Sequence, residues 1–119
     1  MPRTHSKPFI EAHFPKLLQY KIRSSRMYEI KDKRTYYDDW WFNFYLHELE
    51  ANDFIVFAGA KDYINKDFKL FKVPTSYLLS NLKKISMTDD GWIHLYIHTT
   101  TYVDVRSKSG VSFVKFAVN

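Results

Sequence analysis

The sequence contains no cysteine. Disulfide frameworks, thiolate zinc sites and cysteine nucleophiles are thereby excluded, and a reducing compartment fits. Glycine is scarce, at 3 of 119 residues. No P-loop, GxGxxG or GxSxG pattern occurs, so nucleotide-dependent and nucleophile-elbow chemistries lose their usual signatures. No apolar run approaches the roughly 18 residues of a spanning helix. The opening Met1-Pro2-Arg3-Thr4-His5-Ser6-Lys7-Pro8 lacks a secretory apolar stretch. The expectation is a cytoplasmic protein with no membrane partner.

What is present is aromatic and basic. Aromatic residues make up 18% of the chain, more than a core of this size needs. Lysine and arginine total 18 against 13 acids, a net charge of +5. The excess is concentrated: residues 1–37 carry nine bases and three acids, and the remainder is close to neutral. A basic segment on a neutral body points to an anionic partner, with nucleic acid the commonest. A solvated charged surface would have the same composition.

The length suits one domain. Residues 1–8 read as a flexible arm and residues 9–119 as a single domain. Pro8–Tyr20 has helical spacing that Pro15 interrupts, so a broken helix or a single short one near Lys16–Tyr20 is expected. Tyr20–Arg23 and Met27–Lys31 alternate apolar and polar and read as strands, with Ser24-Ser25 as a turn. Trp40–Leu46 reads as an aromatic strand with a helix as its rival, and His47–Asn52 as a polar connection. Asp53–Gly59 is the clearest buried strand, ended by its glycine. Phe68–Val73 is the next strand, and Pro74 opens a helix over about Thr75–Lys84. Thr88–Gly91 is a turn, Trp92–His98 alternates with period two, and Tyr102–Arg106 reads as a further strand. Val111–Val118 closes the chain as a strand or short helix. The fold class expected is α/β or α+β, a strand-dominated mixed sheet with one or two short helices. Phe54, Val56, Leu70, Leu78, Leu82, Leu95 and Ile97 are the expected core.

Glu29-Ile30-Lys31 is the most suggestive local pattern. Period two puts Glu29 and Lys31 on one strand face. A carboxylate there helps hold Mg²⁺, and the ammonium polarises water or steadies charge developing on phosphate. An exposed polar strand face also produces such a triplet by chance. A second triplet, Asp67-Phe68-Lys69, follows Asp53 and is the rival assignment. His94 and His98 share a strand face with Tyr96 between them. They stand about 13 Å apart along a regular strand, too far to share one metal easily. Tyr20, Lys21, Arg23, Arg26, Tyr28, Lys31, Lys33, Arg34, Tyr36 and Tyr37 form a basic and aromatic constellation. Its cations suit phosphates, and its rings suit unpaired bases.

The order of these elements is an ExK strand, Trp41-x-Phe-x-Phe, Asp53-Phe54-Ile55-Val56-Phe57, then Phe71-Lys72-Val73-Pro74-Thr75 opening a helix. It resembles the C-terminal half of the PD-(D/E)XK restriction-endonuclease-like nucleases over about residues 26–85. The resemblance implies a restriction-endonuclease-like core, Mg²⁺-dependent action on DNA, Glu29 as metal ligand and catalytic residue, and Lys31 as the motif lysine. The pattern departs from that family upstream. No Asp precedes Asp32, and Lys21 and Arg23 stand where an acid belongs. The core is then degenerate or truncated, and a second carboxylate must come from Asp38, Asp39 or Asp53. Nucleic acid, DNA ahead of RNA, is the partner expected, met by Lys21, Arg23, Arg26, Lys33 and Arg34, with a homodimer as a further expectation. The alternative is a non-catalytic interaction module with a basic N-terminal third.

Overall fold

The computed structural model describes residues 6–25, 27–28, 38–62, 67–106 and 110–119, with residues 27, 28 and 62 described by backbone alone. Arg26, Glu29, Lys31, Lys33 and Arg34 lie outside the described residues, as do Tyr36 and Tyr37.

Helix α1 spans Ser6–His13, and a 3-10 turn follows over Pro15–Gln19. The helix thus begins inside the stretch read as an arm. Ser6 is fully buried there, its hydroxyl 2.6 Å from that of Ser24. Strand β1 is Lys21–Ser25, β2 is Met27–Tyr28 and β3 is Asp39–Tyr45. Helix α2, Leu46–Ala51, leads to β4, Phe54–Asp62, and β5, Asp67–Pro74. Helix α3 is Thr75–Ser80, with a 3-10 turn at Leu82–Lys84. Strands β6, Ser86–Met87, and β7, Trp92–His98, complete the sheets, and a last 3-10 turn spans Val114–Phe116.

The class is α+β and strand-dominated. One sheet has the order β1-β4-β5, with β1 parallel and β5 antiparallel to β4. The other is antiparallel, in the order β2-β3-β7-β6. Ser24 and Ser25 do not turn the chain. Their hydroxyls serve tertiary contacts instead, Ser25 accepting the Trp41 backbone N–H at 2.9 Å.

The sheets pack face to face. Ile55 and Phe57 of β4, with Phe71 and Val73 of β5, meet Trp40, Phe42 and Phe44 of β3 and Ile93, Leu95 and Ile97 of β7. On the far face of the first sheet, Val56, Ala58, Ala60, Phe68 and Leu70 pack on Ile10 and Leu17. Strand β4 is therefore covered on both faces, which is why it reads as an unbroken apolar run. Strands β3 and β7 are buried on one face only, so they alternate.

Several expectations are corrected. Phe54 and Leu82 are only half-buried, whereas Val56, Leu70, Leu78, Leu95 and Ile97 are fully buried. Phe54 lies at the start of β4, edge-on to Tyr20 and under the Lys72 ammonium, 4.4 Å away. Gly59 does not end β4, which runs on to Asp62. Residues 46–51 form a helix, because Leu49 is buried and Glu48 caps the helix N-terminus. The expected strand Tyr102–Arg106 is reduced to bridges at Val103 and Asp104, with Tyr102 at φ +59°. A left-handed residue cannot continue a ladder.

Candidate nucleic-acid interface

Lys21 and Arg23 lie two apart on β1, and both reach the carboxylate of Glu48. Lys21 Nζ is 3.5 Å from Oε1, and the Arg23 guanidinium donates to the same oxygen. Glu48 is buried on α2, where its Oε2 also accepts the Tyr45 backbone N–H at 2.7 Å. The Asn52 side chain steadies the other end of the helix, donating to the Glu48 carbonyl at 2.8 Å. One carboxylate thus ties β1 to the start of α2. Lys21 keeps 42% and Arg23 32% of its side chain exposed. A phosphate arriving here competes with Glu48 for both cations.

The carboxylates separate into two regions. Asp53 precedes β4 at the end where Phe54 pairs with Pro74, whereas Asp67 begins β5 opposite Asp62. Seven residues of strand, roughly 23 Å, stand between them. Asp53 and the Asp67-Phe68-Lys69 triplet therefore do not form one site. Asp67 lies 3.9 Å from Lys61, and the Lys69 ammonium donates to the Asn119 carbonyl. Asp39, by contrast, sits opposite Tyr28, the residue that precedes Glu29 in sequence. Asp39 and Asp104 are both 1% exposed. Burial raises the Asp104 carboxyl above its ordinary pKa, and the nearby Asp39 charge adds to this. N–H groups of Tyr96 and Arg106 and the Arg106 charge oppose the shift.

On the outer face of the second sheet the sequence singled out His94, Tyr96 and His98 but not their partners on β3. Register pairs Trp41 with Tyr96, Asn43 with His94, and Tyr45 with Trp92, all on the side away from the core. Trp41 and Tyr96 lie with parallel rings, their centroids 6.0 Å apart. The Arg106 guanidinium carbon sits 3.8 Å over the Tyr96 ring. At the other end Tyr45 meets Trp92 at 4.0 Å, with His47 5.6 Å beyond Tyr45. Between the two pairs the Trp41 indole N–H donates to His94 Nδ1 at 3.2 Å. Accepting that bond leaves the neutral ring its proton on Nε2.

Partial burial lowers the His94 pKa, and the Arg106 charge adds to this; Asp90 opposes it. His98 is occupied differently: its Nδ1 accepts the backbone N–H groups of Thr100 and Thr101. The period-two reading of Trp92–His98 contained half of this face. The other half is Trp41 and Tyr45, whose outward parity follows once Trp40, Phe42 and Phe44 are taken as core. Arg106 carried no such sequence signal, because a loop delivers it.

Among the described residues, no group of three histidines, aspartates or glutamates is gathered for a metal, and no helix is long and apolar enough to cross a membrane. No protein-family model matches the sequence, and neither a curated protein nor a solved structure is significantly similar to it.

Proposed function

We propose that the chain is a nucleic-acid-binding domain that acts without catalysis, with the outward side of β3 and β7 as its contact surface. The observation that carries this is the layered arrangement of Arg106, Tyr96 and Trp41, a guanidinium and two rings on one partly exposed face. Aromatic rings offer stacking to bases, and a guanidinium beside them offers charge-assisted hydrogen bonds to phosphate. The net charge of +5 favours approach of a polyanion. The test is titration with DNA at rising salt. Binding should weaken with a log–log slope near −0.9 for each phosphate neutralised on duplex, and about −0.7 on a single strand. No binding at low salt, or binding indifferent to salt, would refute the proposal.

One observation favours a second reading, a Mg²⁺-dependent nuclease of the PD-(D/E)XK kind using Glu29 and Lys31. It is the pairing of β2 with the start of β3, which places Asp38 and Asp39 beside the end of β2 that leads into Glu29 and supports one of them as the second carboxylate that reading needs. Mg²⁺ in such sites is held by carboxylates together with substrate phosphates and water. On this reading Glu29→Gln abolishes Mg²⁺-dependent cleavage of DNA while the protein still folds. Cleavage that survives the substitution removes Glu29 from the chemistry.

A further inference from the structure

We infer that the Tyr45–Trp92 end of the β3–β7 face docks an arginine side chain of a basic peptide, the guanidinium lying on the Trp92 ring beside the Asp90 carboxylate. The inference goes beyond the nucleic-acid reading and does not rest on it.

The chain itself shows what such a ring pair holds. At one end of the face Trp41 on β3 stands beside Tyr96 on β7. The Asp104 carboxylate accepts the Tyr96 backbone N–H at 3.1 Å, and the Arg106 guanidinium carbon lies 3.8 Å over the Tyr96 ring. The Arg106 charge also acts on Asp104. Ring pair, carboxylate and guanidinium all come from one chain here.

Four residues along each strand the same parts recur. Tyr45 on β3 stands beside Trp92 on β7. The Trp92 backbone N–H donates to the Thr88 hydroxyl at 3.1 Å, and that hydroxyl donates to the Asp90 carboxylate. Asp90 thus lies across Trp92 from Tyr45, as Asp104 lies across β7 from Trp41. What differs is the cation. Among the described residues, cations lie over Tyr20, Phe54, Tyr77, Tyr96, Tyr102 and Phe116, and none over Tyr45 or Trp92. Exposure divides the same way. Asp104 is 1% exposed, whereas Asp89 and Asp90 are exposed, Tyr45 is 41% exposed and Trp92 partly so.

The surrounding charge suits a cation. No lysine or arginine occurs on β3, α2, β6 or β7, and the turn before Trp92 carries both Asp89 and Asp90. The Thr88 hydroxyl holds the Asp90 carboxyl below its ordinary pKa, against a slight opposing effect of burial, and backbone N–H groups of Asp90 and Trp92 add to the lowering. His94, edge-on to Trp92, has a lowered pKa and is neutral at pH 7, so it does not repel the ligand. Tryptophan is the best of the aromatic rings for a cation. A guanidinium is flat enough to stack on it while its edge donates to a carboxylate, which an ammonium, a strongly hydrated point charge, does less well.

The experiment titrates the intact ¹⁵N-labelled chain with tri-arginine, trilysine and triglutamate peptides. Tri-arginine should move the Trp92 indole signal and the Asp90 and Gly91 amides together, to saturation, while the buried Trp40 indole stays in place. Trilysine should bind more weakly and triglutamate should move none of these signals. Trp92→Ala should weaken tri-arginine binding by about 2- to 5-fold. Asp90→Asn, on an exposed turn, should weaken it too, so a poorly folding Trp92→Ala does not blunt the test. Equal binding of tri-arginine and trilysine reduces the contact to general charge and overturns the inference. So does a Trp92 signal that ignores tri-arginine or follows triglutamate, or binding that neither substitution weakens. Trp92 and Asp90 signals that shift with protein concentration alone assign the arginine to a second copy of the chain and overturn a separate partner. No oligonucleotide is present, so each of these failures leaves the nucleic-acid reading standing.

Discussion

Gly59→Ala tests how the two sheets meet. Gly59 lies in the middle of β4, on the face that carries Ile55 and Phe57 towards the second sheet. A Cβ added there would meet Cδ2, Cε2 and Cγ of the Trp40 side chain, the last at 2.7 Å. Trp40 is 1% exposed and cannot swing into solvent. It is also tethered, since its indole N–H donates to the Ala60 carbonyl at 2.9 Å. The methyl therefore either separates the sheets or displaces the ring and breaks that bond. Overpacking of this kind costs about 1–3 kcal/mol, and loss of the bond adds about 1 kcal/mol. For a chain of 119 residues the unfolding entropy is about 250 cal/mol/K. A loss of about 2–4 kcal/mol then lowers Tm by roughly 8–16 °C. Thermal unfolding followed by circular dichroism measures this. In a Trp40→Phe background the same glycine substitution should cost less than about 1 kcal/mol, because the smaller ring leaves room. A Gly59→Ala protein that melts within about 2 °C of wild type, or equal costs in both backgrounds, would refute the close approach of Trp40 to β4.

Phe57→Ala should destabilise by about 3–5 kcal/mol and Phe54→Ala by clearly less, since Phe57 is fully buried and Phe54 half-buried; equal losses in denaturant titrations would contradict the burial pattern. Glu48→Ala should cost about 1–3 kcal/mol by loss of the N-cap bond and the Arg23 contact, with both cations recovering part of their solvation. An unchanged midpoint would show that β1 does not depend on α2. Asp104 holds its proton in the native chain over a pH range where the unfolded chain has released it. Its stabilising share is full below the ordinary aspartate value of about 4 and is lost as pH rises through the raised native value. Asp104→Asn removes that loss, so the variant's Tm should gain on wild type as pH rises from about 3 towards neutrality; a Tm difference flat with pH contradicts the raised carboxyl.

The sheet strands were legible where one physical rule acted alone. Trp92–His98 alternates because one face packs and the other meets solvent, and its bounds agree with the sequence reading. Gly59 misled because glycine usually punctuates a strand. Here it permits close approach of an indole, a use that only the tertiary partner reveals. His47–Asn52 read as a connection, and Leu46 as the end of a strand, because the six-residue helix at Leu46–Ala51 holds too little periodicity to announce itself. Lys21 and Arg23 were visible as cations, but Glu48, 25 residues beyond Arg23, decides where they point. The aromatic face was half visible, because pairing Trp41 with Tyr96 requires the β3–β7 register and Arg106 arrives by a loop.

The most direct test of the proposed interface is a two-dimensional NMR titration of the uniformly ¹⁵N-labelled chain with oligothymidine, read at the three tryptophan indole N–H signals. The Trp41 and Trp92 indole signals should move progressively and saturate together, with the Tyr96 and Arg106 amides moving alongside. The Trp40 indole, bound to the Ala60 carbonyl inside the core, should stay in place. Signals of β1 around Lys21 and Arg23 that move while Trp41 and Trp92 remain fixed would place binding on the other sheet and contradict the account.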